Sequence, residues 1–288
     1  LPTFAPARLF EEIFMSDALP TANLTAEFLG TEKMLARKEG GVGWMVFNNP
    51  ERHNAVNMEM WQAAEKILAD FAADPAIRVV VVTGAGGKAF VSGADISKFE
   101  SERASKEAVD AYAAQTEKVY GGLHVFPKPT IALIRGHCIG GGVALAVCCD
   151  IRICNDTANF AVPAAKLGLG YGIKGIAKLA ALVGPAFTKE IFFTAKRFNA
   201  KQAETMGLVN RVLPEAELDA FVADYAETIA GNAPLTVASV KRIVAEAMKP
   251  NPDEALCDRL VAECFASQDY IEGRRAFMEK RKPQFQGR

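Results

Sequence analysis

Apolar runs over residues 33–48, interrupted at Gly40-Gly41, predict two strands joined there, the second being Val42-Gly-Trp-Met-Val-Phe47. After the loop Asn48-Asn-Pro-Glu-Arg-His-Asn54 the period changes. Met60, Ala63, Ala64, Ile67, Leu68 and Phe71 fall on one face of an amphipathic helix. Arg78-Val-Val-Val-Val-Thr83 is an unbroken apolar run of strand length, so a strand buried on both faces is predicted there. A glycine-rich loop at 84–93 leads to a helix over about 106–123, which Pro127 and Pro129 close off. The pattern then recurs as a strand at 130–134, a glycine loop, a helix at 143–148 and a strand at 151–154. Two strand–glycine-loop–helix units in succession predict an α/β fold with its function at the strand-to-helix loops. From Pro185 onward the periodicity is nearly all helical, over 185–195, 200–206, 215–231, 235–248 and 252–268.

Composition narrows the class of protein. A chain of 288 residues is long enough to bury a substantial core, and half of its residues are apolar. The 33 basic residues are matched by 34 acidic ones with no long basic block, which gives no electrostatic case for nucleic acid. No apolar run approaches the roughly 18 residues of a membrane span, so a soluble, cytoplasmic enzyme is expected. None of Cys138, Cys148, Cys149, Cys154, Cys257 and Cys264 forms a CxxC pair, and four lie in or beside apolar segments, which predicts reduced, buried thiols. His53, His124 and His137 are scattered without ligand spacing, so no metal site is expected. Residues 1–14 precede Met15 and read as an upstream extension or an expression remnant; Glu11 and Glu12 and the lack of a long apolar stretch argue against a signal peptide.

The chemistry-bearing candidates are two glycine loops, Phe90-Val-Ser-Gly-Ala-Asp-Ile96 and Arg135-Gly-His-Cys-Ile-Gly-Gly-Gly-Val-Ala-Leu-Ala146. Either alone is explained by a tight turn after a strand. A phosphate cradle does not fit: Gly84-Ala-Gly-Gly-Lys88 lacks P-loop spacing and neither loop is GxGxxG.

Together the loops are far more specific, and the chain resembles the enoyl-CoA hydratase/isomerase (crotonase) family from about residue 33 to 285. The resemblance is carried by Asn49-Pro50, Asn54-Ala55, Ser92-Gly-Ala-Asp-Ile96, Gly140-Gly-Gly142, Cys149-Asp150, Phe160, Gly168, Met206-Gly-Leu-Val-Asn210 and Ala276-Phe-Met-Glu-Lys-Arg-Lys-Pro283. It implies an α/β spiral of ββα units with a C-terminal helical region. The expected division is an N-terminal extension at 1–28, the α/β core at 29–214 and helices at 215–288 that assemble a homotrimer or a dimer of trimers. It also implies an acyl-CoA substrate, with coenzyme A as part of the substrate and no separate cofactor.

By the same resemblance the backbone N–H groups of Ala94 and Gly141 point at the thioester carbonyl and form an oxyanion hole. Ala94, Asp95, Ile96, Ser97 and Gly141 line the CoA site, Arg52 and Lys280 are candidate phosphate partners, and Phe277 and Lys280 reach a neighbouring subunit's CoA.

Two departures matter. Hydratases of the family carry general acid/base glutamates at the positions of Ala144 and Ala164 here, and removing such a group typically costs 10²–10⁴-fold. Fast two-glutamate hydration is therefore not expected, and single-base isomerisation fails at Ala164. Tyr171, in Gly168-Leu-Gly-Tyr-Gly-Ile-Lys174, stands where hydratases usually have proline, and methylmalonyl-CoA decarboxylase has a tyrosine at the matching position. Decarboxylase-type lyase chemistry, with Tyr171 as orienting donor and proton source, is one expectation. An atypical or weak hydratase or isomerase, and an acyl-CoA-binding protein without catalysis, are the others. Secondary candidates are His137, Glu117, Tyr120, Lys166, Lys174 and Ser92. Of these, Glu117 and Tyr120 are expected on a solvated or packed helix face, and Ser92 is expected to shape its loop.

Overall fold

The structure, a computed structural model, describes residues 24–98 and 104–288. Numbered in chain order, the strands are Met34–Glu39 (β1), Val42–Phe47 (β2), Val79–Gly84 (β3), Ala89–Val91 (β4), Thr130–Ile134 (β5), His137–Ile139 (β6), Ile151–Asn155 (β7), Asn159–Ala161 (β8), Phe198–Asn199 (β9) and Arg211–Leu213 (β10). They form a six-stranded sheet in the order β1-β2-β3-β5-β7-β10 and a four-stranded sheet in the order β4-β6-β8-β9. Only β1 with β2 and β8 with β9 are antiparallel.

Three consecutive units each give one strand to each sheet and then a helix. They are β3-β4 with Lys106–His124 (α3), β5-β6 with Gly141–Ala146 (α4), and β7-β8 with Ala164–Leu167 (α5). This is the expected spiral of ββα units. The predicted glycine loops are thus interrupted by β4 and β6, which at three residues each are too short to show a period of two.

The strand buried on both faces is present. Val80 and Val82 enter the larger core, where Met58–Ala73 (α2) packs Met60, Ile67 and Phe71. Val79 and Val81 enter a second core with Trp44, Ile131, Leu133 and Ile153, closed by Leu218, Val222 and Ala226 of Glu215–Gly231 (α8). The Asn57 side chain caps α2 by accepting the Met60 N–H at 3.0 Å.

The helical third differs from its sequence pattern in instructive ways. Ile173–Thr194 (α6) starts well before Pro185, and Gly184 at φ 74° breaks it just ahead of that proline. The segment expected as one helix over 252–268 divides into Glu254–Ala266 (α10) and Gln268–Glu279 (α11). Between them the Ser267 side chain accepts the Tyr270 N–H at 3.1 Å. Ala200–Thr205 (α7) and Pro234–Ala247 (α9) match expectation closely.

Ion pairs tie these helices to the core. Buried Arg135 bonds Glu215 and Asp219 of α8, each at 2.5 Å. Asp150 accepts both the Thr130 N–H at 2.7 Å and Lys241 of α9 at 2.7 Å.

At the other end, Leu24 bridges to Ala36 and Ala26–Leu29 (α1) buries Leu29, so the folded body reaches back past residue 29. Residues 1–14 and Met15 lie outside the described residues.

All six cysteines are unpaired. Cys138, Cys148, Cys149 and Cys154 are buried, and burial pushes the Cys154 thiol up to about 12. Among the described residues no cluster suits a metal ion, and no helix is long and apolar enough to cross a membrane.

Candidate active site

Two backbone turns meet at the site because neither carries a side chain where they touch. Gly93 adopts φ +101°, and a Cβ built on it would lie 3.3 Å from the Ile139 carbonyl oxygen and 3.6 Å from the Gly141 nitrogen. One residue further on the fit is tighter still, since a Cβ on Gly142 would sit 2.0 Å from the Val91 carbonyl oxygen. The triple glycine therefore lets α4 pack directly against β4. Glycine is required here for space as well as for backbone freedom.

Val56 pins the first loop on both sides of Ala94. Its N–H donates to the Gly93 carbonyl at 2.9 Å, and its carbonyl accepts the Asp95 N–H at 2.9 Å. No hydrogen bond within the described residues occupies the N–H of Ala94 or of Gly141. Both residues line a cavity of about 390 Å³.

The cavity wall is apolar and hydroxylic. Trp61 of α2 and Tyr112, Thr116 and Tyr120 of α3 form one side, and Leu167, Leu169 and Tyr171 form another. Ala144 and Ala164, the two positions singled out for their missing carboxylates, both line it, and Ala164 is only 4 % exposed. Among the described residues that line the cavity, none carries a carboxylate, an imidazole or a cationic group.

Tyr171 lines the cavity and packs edge-on against Phe192, with ring centroids 4.9 Å apart. Burial pushes its phenol above the ordinary value, so the hydroxyl is neutral at physiological pH and able to donate.

The remaining candidates separate clearly. Ser92 lines the cavity and its Oγ donates to the Arg52 carbonyl at 3.3 Å, the loop-shaping role expected of it. His137 stands outside the wall, with its Nδ1 2.9 Å from Asn159 Oδ1 and its ring edge-on to His53. Lys166 and Lys174 do not line the cavity; Lys174 pairs with Glu117 at 3.0 Å on the surface.

Tyr120 lies on a packed helix face, as expected, and that face borders the site. It is half-buried in the wall, and its hydroxyl donates to the Gly141 carbonyl at 3.3 Å. A usable sequence signal existed, because Val109, Tyr112, Ala113, Thr116 and Tyr120 recur at helical spacing and all five face the cavity.

Beyond the cavity mouth, the other residues expected at coenzyme A form a knot of their own. Arg52 Nη1 donates to Ser97 Oγ at 2.7 Å and lies 3.4 Å from Asp95 Oδ1, which also accepts the Ser97 N–H at 3.0 Å. Burial works against the Asp95 charge. The Ser97 hydroxyl and N–H, with Arg52 beside them, nevertheless hold its carboxyl below the ordinary range. Ile96, at 65 % exposure, forms part of the rim. Phe277, 82 % exposed, and Lys280, the left-handed cap of α11, do not line this chain's own cavity.

Comparison with known proteins gives the family and agrees with the fold. The sequence profile of the enoyl-CoA hydratase/isomerase family matches residues 37–288. Crotonyl-CoA hydratase of Syntrophomonas wolfei is 36% identical over 256 residues, covering 88% of this chain and 98% of its own. Carnitinyl-CoA dehydratase of Escherichia coli K12 is 32% identical over 270 residues, covering 90% and 100%. A crystal structure of an enoyl-CoA hydratase/carnithine racemase from Magnetospirillum magneticum superposes with a TM-score of 0.86 at 36% identity, covering 90% of this chain and 97% of the other. With a profile match across most of its length and full-length relatives named as enzymes of CoA thioesters, this chain belongs to the enoyl-CoA hydratase/isomerase family.

Proposed function

We propose that this protein is an acyl-CoA enzyme that holds a thioester enolate through the Ala94 and Gly141 N–H groups, and that the substrate supplies the electrons by losing CO₂. The observation that carries this reading is the cavity wall, in which Ala144 and Ala164 stand at the two glutamate positions and no described residue offers a carboxylate to abstract or deliver a proton. Two fixed donors aimed at a developing oxyanion contribute about 3–4 kcal/mol each without any acid/base partner.

In decarboxylation the bond between Cα and the carboxylate breaks and its electron pair passes to Cα. The thioester becomes an enolate, CO₂ departs, and a proton is later added at Cα. An apolar wall whose described residues carry no cation does little to stabilise the starting carboxylate and favours its departure. Neutral Tyr171 orients that carboxylate by donation and afterwards supplies the proton, which solvent restores.

In this reading Arg52, Asp95, Ile96 and Ser97 support coenzyme A at the rim. The exposed apolar side chains of the last helices, among them Phe265, Phe277 and Met278, pack against further copies in a trimer or dimer of trimers, with Phe277 and Lys280 reaching a neighbour's CoA.

A second reading is favoured by the names of the relatives, crotonyl-CoA hydratase and carnitinyl-CoA dehydratase. It is slow reversible hydration of a short enoyl-CoA, with hydroxyl groups replacing the glutamates. Mass spectrometry of a thioester panel distinguishes the two. Malonyl- and methylmalonyl-CoA are expected to lose CO₂, at a rate that falls in Tyr171→Phe, while crotonyl-CoA hydrates at least about 100-fold more slowly than a two-carboxylate enzyme achieves. Brisk hydration of crotonyl-CoA with the carboxylated thioesters untouched would overturn the proposal in favour of the second reading.

A further inference from the structure

The two proposed oxyanion donors belong to different loops, which touch directly at Gly93 and Gly142 and are also braced from a second side. A continuous set of contacts runs between them through α2 and α3. It begins at Val56, which brackets Ala94 by its bonds to Gly93 and Asp95. The Val56 carbonyl also accepts the Tyr112 hydroxyl at 3.4 Å. Tyr112 in turn accepts the Trp61 indole N–H at 2.9 Å. The Trp61 ring meets Tyr120 edge-on with centroids 5.2 Å apart, and the Tyr120 hydroxyl donates to the Gly141 carbonyl at 3.3 Å.

The last contact is intimate. A Cβ built on Gly141 would lie 3.1 Å from the Tyr120 oxygen and 3.5 Å from the Gly93 Cα, so Gly141 is held between the phenol and the first loop.

We propose that Tyr120 is a positioning residue for the Gly141 donor, and that the Tyr112–Trp61–Tyr120 contacts form a strut that sets the separation of the two oxyanion N–H groups. The inference rests on the oxyanion reading of Ala94 and Gly141 and adds to it the device that keeps them in register. Tyr120 holds the 141–142 peptide by its carbonyl, one Cα from the Gly141 N–H, and needs no contact with the thioester. The hydroxyl of a side chain whose ring is wedged on Trp61 cannot drift as an exposed loop contact would. Preorganised donors are effective because they do not reorganise during reaction.

The test uses the full chain and a chromophoric thioester, 4-dimethylaminocinnamoyl-CoA, whose absorption moves to longer wavelength when its carbonyl is polarised. Wild type is expected to bind the probe with a red shift. Tyr120→Phe keeps the ring on Trp61, and is expected to bind with unchanged affinity and a smaller red shift. Tyr112→Phe, which removes the acceptor of the Trp61 N–H, is expected to diminish the shift in the same way. With a turned-over thioester, Tyr120→Phe is expected to lower kcat about 5-fold, the worth of one modest hydrogen bond, while KM is unchanged. A folded Tyr120→Phe variant with the full red shift and full kcat overturns the strut and leaves the oxyanion reading intact. A wild-type protein that binds the probe without any red shift overturns the oxyanion reading and the strut with it.

Discussion

Placing the two absent carboxylates together, as Ala144→Glu with Ala164→Glu, is expected to raise the rate of crotonyl-CoA hydration at least about 100-fold over wild type. Both positions line the same cavity, one on α4 just past Gly141 and the other at the start of α5. Hydration needs one group to activate water and another to deliver a proton, so each single variant is expected to gain far less than the pair. Burial helps the division of labour. Ala164 is almost fully enclosed, and two carboxylates sharing an apolar cavity do not both ionise readily, which leaves one protonated as the acid. The reaction is followed by the loss of enoyl-thioester absorbance. A folded double variant that binds CoA thioesters yet hydrates no faster than wild type would show that the alanines are not what limits this chemistry.

The second large effect concerns architecture. Gly142→Ala is expected to destabilise the protein by about 3 kcal/mol, because its methyl group would meet the Val91 carbonyl oxygen at 2.0 Å. That oxygen belongs to β4, the buried edge strand of the four-stranded sheet, whose backbone is held by pairing with β6, and it cannot move aside as a flexible side chain would. Relief has to come from pushing α4 away from β4, which pulls Gly141 away from the 92–94 loop. Activity should therefore fall more than 100-fold even in the fraction that remains folded, since an oxyanion donor displaced from its acceptor is worth roughly that much. Gly231→Ala in α8 is the control: its methyl would meet nothing within 4 Å, and its unfolding midpoint should stay at or slightly above that of wild type. Denaturant melts of the two variants provide the comparison, and a wild-type midpoint in Gly142→Ala would show that the backbone contact is not required.

Much of this was legible in the chain, for identifiable reasons. Val79, Val80, Val81 and Val82 announced a doubly buried strand because every position is apolar, and the α2 stripe announced a helix because its spacing is 3.6. The Ala94 and Gly141 loops were recognisable because glycine is demanded at 93 by a φ of +101° and at 142 by the Val91 carbonyl. The break at Gly184 falls where a helix from Pro185 was expected, but the helical stretch over 173–183 before it was not read, and β9 and β10 were hidden because two or three residues carry no period. Tyr120 was a secondary candidate expected on a solvated or packed face, but its bond to Gly141 was not legible. Its role depends on the approach of α3 to α4, a contact between elements twenty-one residues apart whose distance no local pattern encodes.

The oxyanion claim is tested most directly by a CoA thioether in which a nitronate replaces the thioester enolate. Its affinity should be compared by calorimetry with that of the matching saturated acyl-CoA. Donors built for the enolate should bind the nitronate at least about 100-fold more tightly, as expected of a ligand that carries the charge of the intermediate. Equal affinity for the two ligands would contradict the account, because Ala94 and Gly141 would then offer the developing negative charge nothing that they do not already offer the ground state.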